Sequence, residues 1–147
     1  MALTAYLCVL LLACVGFAPS NAYSPRPTAL EVVEELNKEY VEALKAHDIN
    51  AVKDLYHPDV ILMADGYPTS RGPSNLKLQW VPLVGSVEYH IDELAYLDRI
   101  GRLIIGRKTS KVFAKDGTTL FDGKTLHIWM WTGSTFQIYL EMYNSNA

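Results

Sequence analysis

The sequence predicts an α+β domain whose N-terminal helices pack on one face of a curved antiparallel sheet. Three observations predict it: apolar residues recur at spacings of three and four through residues 30–44, the period drops to two from Gly85 onward, and turn signals such as Asp116-Gly117 separate the later runs. Helices first and strands last is the order of an α+β fold, not of alternating βαβ units.

The chain opens on residues 1–22, which hold no Asp, Glu, Lys or Arg, and residues 5–15 form an apolar run too short to span a bilayer. This reads as an export signal cut after Ser20-Asn21-Ala22. The chain then divides into a signal peptide, residues 1–22, and a single domain, residues 23–147. Secretion is the expectation; Leu11-Leu12-Ala13-Cys14 also resembles a lipid-attachment pattern, which leaves anchoring through Cys14 as the alternative. Cys8 and Cys14 are the two cysteines and both lie in the leader. The mature domain therefore offers neither a disulfide nor a thiolate ligand, and packing must stabilise it.

Thr28-x-x-Glu31 is a capping box, so a helix starts there. Leu30, Val33, Leu36, Tyr40 and Leu44 form its apolar stripe, and it runs to about Ala46. Asp48 or Asn50 caps a second helix through Val52, Leu55 and Tyr56, which His57-Pro58 stops. Val60 to Met63 is a buried strand leading into the turn Asp65-Gly66-Tyr67-Pro68. Gly72-Pro73-Ser74 starts a third short helix carrying Leu76 and Trp80. Further strands cover Val87 to Ile91, Leu94 to Leu97, Leu103 to Phe113, Thr119 to Trp131 and Phe136 to Tyr143, with turns at Asp116-Gly117 and Thr132-Gly133-Ser134.

The last two strands are informative about faces. Strict alternation puts Thr125, His127, Trp129 and Trp131 opposite Leu126, Ile128 and Met130, and it puts Gln137, Tyr139, Glu141 and Tyr143 opposite Phe136, Ile138, Leu140 and Met142. Both faces are largely apolar or aromatic. A solvated face should be polar, so a homodimer through the sheet face is expected. The net charge of -3, with Lys and Arg dispersed, excludes a basic patch for nucleic acid. His47, His57 and His90 make no His-x-x-x-His pair, so neither a metal nor another cofactor is expected.

From Leu30 to Asn146 the chain resembles the NTF2-like superfamily, in its SnoaL-like or DUF4440 branch. The residues that carry the resemblance are the run from Ala46 to Val60, then Arg71-Gly72, Lys115-Asp116-Gly117 and the closing Glu141 to Asn146. It implies a cone-shaped α+β barrel whose cavity serves isomerases, cyclases, dehydratases, ligand binders and assembly modules alike. Matched to ketosteroid isomerase, Tyr40 takes the place of the oxyanion tyrosine and His127 that of the second oxyanion donor. The general-base position falls on Ala64, with Asp65 one residue later, so the base is missing or displaced.

The candidate catalytic residues are thus Tyr40, His127, Glu141 and Asp65. Glu141 qualifies because the resemblance, carried over to the last strand, implies that it faces the cavity, where a buried carboxylate acts as acid or base. Each has a plainer alternative: a core tyrosine, a core histidine, a carboxylate at the barrel mouth and a turn former. Tyr40, Trp80, His127, Trp129, Tyr139 and Glu141 are the candidate ligand contacts. The favoured function is binding of a small apolar or aromatic molecule in the cone. An isomerase, dehydratase or cyclase using the same cavity is second, and a dimerisation module without ligand is third.

Overall fold

A computed structural model describes residues 26–146. The expected export signal, its expected cut before Tyr23 and the alternative of lipid attachment at Cys14 fall outside those residues.

Two helices precede six strands: α1 (Ala29–Lys45), α2 (Ile49–Asp54), β1 (Tyr56–Ala64), β2 (Ser70–Arg71), β3 (Val84–Tyr96), β4 (Leu103–Ala114), β5 (Thr119–Trp131) and β6 (Phe136–Ser145). The capping box forms as the sequence predicts. The Thr28 side chain accepts from the Glu31 N–H at 3.2 Å, and the Glu31 carboxylate accepts from the Thr28 N–H at 2.7 Å. Such a cap contributes about 1 kcal/mol. The helix buries Val33, Asn37 and Leu44 on one stripe. Just beyond it His47 adopts a left-handed φ of 57°, and its Nε2 meets the Val84 carbonyl oxygen at 2.9 Å. That histidine therefore joins the helical layer to the start of β3.

Asp48 caps α2 by accepting from the Asn50 and Ala51 N–H groups, both at 3.0 Å. The helix ends at Asp54, earlier than periodicity suggests, and Tyr56 opens β1. Pro58 disfavours helix in the residue before it, and Tyr56 pairs with Ile138 of β6. The predicted third helix is replaced by two single 3-10 turns, Pro73–Asn75 and Val81–Leu83. A proline near the start of each is tolerated in a first turn, and extended backbone at Leu76 and Val84 ends both. The two predicted segments at Val87 to Ile91 and Leu94 to Leu97 form one continuous strand, β3, with a register shift between Ile91 and Glu93.

The strands form one sheet in the order β2-β1-β6-β5-β4-β3. From β3 to β6 it is the antiparallel meander that the period of two predicts. β1 joins it parallel to β6, so the sheet is mixed, and it is open rather than closed into a barrel. Alternation assigns faces and says nothing of strand direction, which is why this pairing was hidden.

Strict alternation also breaks once in β6. Ile128 faces Leu140 while the next residue, Trp129, faces Ile138, so Tyr139 is an extra residue on the bulged strand. Ile138 and Glu141 consequently point to the same, inner side, although they are three apart. Leu140 and Met142 turn outward. The core, including Val33, Leu44, Val52, Val60, Ile104, Trp129 and Ile138, lies between α1 and that inner face.

Candidate functional site

Between α1, β1 and the inner face of β4 to β6 lies a cavity of about 460 Å³, with mostly apolar walls that include Leu62, Leu78, Trp80 and Phe121. That volume suits a small molecule. The bulge in β6 brings Glu141 into it. Both of the carboxylate's hydrogen bonds land on Oε2: the Tyr56 hydroxyl donates at 2.5 Å and His127 Nε2 lies at 3.1 Å. Oε1 accepts neither.

The protonation states follow from these partners. An ionised carboxylate only accepts, so His127 carries its proton on Nε2 and presents a bare Nδ1. Burial, and then the field of the Lys108 ammonium, hold the imidazole below its ordinary value in spite of Glu141, so it is neutral near pH 7. Burial is the largest influence on Glu141 and would raise it, yet the His127 and Tyr56 hydrogen bonds and the Lys108 charge together leave it below the ordinary carboxylate range. A largely enclosed, ionised glutamate, its side chain 13% exposed, thus sits in an apolar cavity.

The Tyr40 phenol, on α1, stands beside that of Tyr56 and interacts with it; burial and the Glu141 charge raise both well above the ordinary tyrosine value. Both stay protonated at any physiological pH. Because the Tyr56 proton is committed to Glu141, Tyr40 is the donor in any hydrogen bond between the two phenols.

Lys108, on β4, is 9% exposed and reaches across to α1, where its Nζ donates to Asn37 Oδ1 at 3.1 Å and lies 5.2 Å from the centre of the Tyr40 ring. Burial pushes the amine down to about 8, against the pull of Glu141. Asn37 Nδ2, a donor, and His127 Nδ1, an acceptor, are buried with no protein partner among the described residues.

Of the candidates read from sequence, Tyr40, His127, Glu141 and Trp80 meet in the cavity lining. Asp65 does not: it is exposed on the turn after β1, where its N–H donates to the Tyr143 carbonyl at 3.1 Å. Ala64, at the position matched to a base, does line the cavity. Trp129 is 3% exposed and packs in the core beneath, with its ring edge-on to His127 at 5.0 Å. Gly106, opposite His127 in register, makes room for that indole, since a Cβ there would come within 2.9 Å of Trp129 Cζ3. Tyr139 is turned away by the bulge and meets the His57 ring instead.

Tyr56, Asn37 and Lys108 were missed. Tyr56 was hidden by its assignment to the end of α2. The other two had a legible signal: Asn37 lies on the apolar stripe of α1, and Lys108 alternates with Ile104, Gly106, Ser110 and Val112 on a buried face of β4.

No protein-family model and no curated protein matches the sequence. Solved structures do match by shape. A ketosteroid isomerase-like protein from Erwinia carotovora atroseptica superposes with a TM-score of 0.63 at 20% identity, over 83% of this chain and 99% of that one. An NTF-2 like protein of unknown function from Shewanella oneidensis gives 0.62 at 15% identity, over 79% and 98%. A protein from Novosphingobium aromaticivorans provisionally assigned as a scytalone dehydratase gives 0.64 at 8% identity, over 80% and 84%. The chain has the NTF2-like fold.

Proposed function

We propose that this chain, with its NTF2-like fold, binds a small, largely apolar molecule carrying a carbonyl or hydroxyl group in the cavity between α1 and the sheet. The observation that carries the reading is the convergence of Tyr40, His127 and Glu141 on one apolar cavity of about 460 Å³. Apolar walls supply affinity, and the few polar groups fix orientation. An open cavity of this size also weighs against an assembly module whose cone is filled by side chains.

The test is titration with 2-naphthol, followed through the fluorescence of Trp80 in the cavity wall. Saturable quenching is expected, weakened at least tenfold by Ala64→Phe, which fills the cavity. Quenching that is absent, or indifferent to the filling substitution, overturns the reading.

One observation favours catalysis as a second reading: among the described residues Glu141 Oε1 takes no hydrogen bond, while two donors orient the group through Oε2. That is the arrangement of a positioned base, and it replaces the carboxylate missing at Ala64. Proton transfer of isomerase or dehydratase type follows from it, with Tyr40 as donor to the developing oxyanion. The ketosteroid isomerase-like and scytalone dehydratase-like neighbours are consistent with such chemistry. Exchange of the α-protons of bound 2-tetralone into deuterated water, lost in Glu141→Gln, tests it; exchange at the solvent rate refutes it.

Two further expectations complete the proposal. The leader points to export. The outer face of β5 and β6, with Leu126, Ile128 and Met130 half-buried and Met142 38% exposed, is the surface through which we place a homodimer.

A further inference from the structure

We propose that Lys108 is a nucleophilic amine that captures aldehydes and ketones in the cavity as a covalent imine. The inference rests on the cavity-binding reading above and deepens it by naming the ligand class: a carbonyl carbon on a flat, apolar skeleton.

The geometry comes first. Lys108 sits mid-strand on β4, on the buried face, and belongs to the lining of the same cavity as Glu141 and His127. Its register partner is Thr125, and Gly106, two residues away on the same face, is the partner of His127. The amine is thus a diagonal neighbour of the imidazole that is bonded to Glu141. Among the described residues it forms no salt bridge and one hydrogen bond, to Asn37 Oδ1, which anchors the ammonium or amine through a single N–H. A lysine kept merely for charge pairing would sit in contact with a carboxylate; this one is held away from it by Asn37 and the Tyr40 ring face.

The desolvated setting gives the nitrogen its reactivity. With the amine lowered to about 8 it is partly neutral at pH 7.5 and half neutral near pH 8, whereas an ordinary lysine needs a pH near 10.5. Three groups face it from neighbouring elements. Glu141 on β6 favours the ammonium, His127 on β5 is neutral and donates to Glu141, and the Tyr40 phenol on α1 stays protonated.

The step balances without an oxidant or reductant. The nitrogen lone pair forms the N–C bond to the carbonyl carbon while the C=O π pair moves to oxygen. Both protons of the neutral amine are transferred to that oxygen, and it departs as water when the C=N bond forms. Glu141, the carboxylate lining the same cavity, takes a proton from nitrogen through the bound guest's oxygen or a water and returns it to the departing hydroxyl, while Tyr40 donates to the carbonyl oxygen as it becomes negative.

The test uses the folded protein at pH 7.5 with 2-naphthaldehyde in substoichiometric amount and sodium cyanoborohydride, followed by intact mass and peptide mapping. One reduced adduct per chain is expected, on Lys108, at least tenfold in excess over adducts on the surface lysines. Lys108→Met and Lys108→Arg are expected to abolish it. Binding of 2-naphthalenemethanol, which has no carbonyl, is measured in parallel by Trp80 fluorescence on wild type and both variants. Alcohol bound by all three proteins without a Lys108 adduct in the wild type overturns the lysine proposal alone. An alcohol that does not bind the wild type overturns the cavity reading as well. Should a variant fail to bind the alcohol, the wild-type map still decides, because an adduct spread evenly over the lysines refutes selective capture.

Discussion

The Tyr56 hydroxyl on β1 donates to Glu141 Oε2 on β6 at 2.5 Å, across 85 residues of sequence. This bond links the only parallel strand pair among the described residues to the floor of the cavity. It also fixes the carboxylate so that one oxygen remains for a guest.

Removing that bond with Tyr56→Phe leaves a part-buried ionised carboxylate short of a donor. A hydrogen bond to a charged group contributes about 1.5–3 kcal/mol, so urea unfolding at pH 7 should show a loss of that order. The loss should shrink as the pH falls through the lowered folded value of Glu141, because a protonated carboxyl needs the donor less.

Acid should destabilise the protein in two stages. His127 is lowered from 6.5 when folded, so the unfolded chain takes up its proton first and stability falls as the pH drops from 6.5 toward the folded value. Glu141 is lowered from 4.5, and its contribution, present above 4.5, is lost as the pH falls through its folded value. Thermal melts from pH 8 to 3 should show both stages. His127→Gln should erase the upper one and keep the lower.

Alkali should act in the opposite sense. Lys108 binds its proton less readily folded than unfolded, so the unfolded state carries more protons between about 8 and 10.5 and stability rises with pH there. Tyr40 and Tyr56, raised when folded, reverse the trend above pH 10. Melting temperature should therefore climb from pH 7.5 to 9.5 in the wild type and stay flat over that window in Lys108→Met. A flat wild-type profile contradicts a desolvated amine.

A side chain at residue 106 would press first on Leu94 Cδ2 and then on the indole that underlies His127. Gly106→Ala should cost about 1–3 kcal/mol, as overpacking does, and should weaken naphthol binding although the residue lies outside the cavity lining. Chemical denaturation and the Trp80 titration measure the two effects.

If the outer face of β5 and β6 is the dimer surface, Ile128→Lys places a charge in its middle. Native mass spectrometry should then show monomer for the variant and dimer for the wild type, with the 2-naphthol titration unchanged. A wild-type monomer rejects the interface.

Much of the architecture was legible because it rests on local signals. The capping box at Thr28 and Glu31, the stripe of α1, the exact span of β5 and the turns around Gly117 and Gly133 all depend on neighbours within a few residues. Periodicity likewise delivers the face of any residue on an unbroken strand, and it placed His127 on a face shared with Trp129. In the site, Tyr40, His127, Glu141 and Trp80 were named from sequence and share the cavity, while Asp65, Trp129 and Tyr139 do not line it.

Tertiary structure decided what depends on pairings distant in sequence. The parallel partnership of β1 with β6 brought Tyr56 to Glu141, and no periodicity encodes which strand a strand will pair with. A single bulge at Tyr139 reversed the faces of half of β6, so that Glu141 shares its side with Ile138 and not with Tyr139. Burial of the Lys108 amine against Asn37 arose from β4 meeting α1 across 71 residues. The sequence by itself determined the helical layer, the strands and the residue types available for chemistry. Which of those side chains share one low-dielectric cavity, and therefore which are perturbed enough to react, was set by long-range packing, because desolvation depends on every element that surrounds a group.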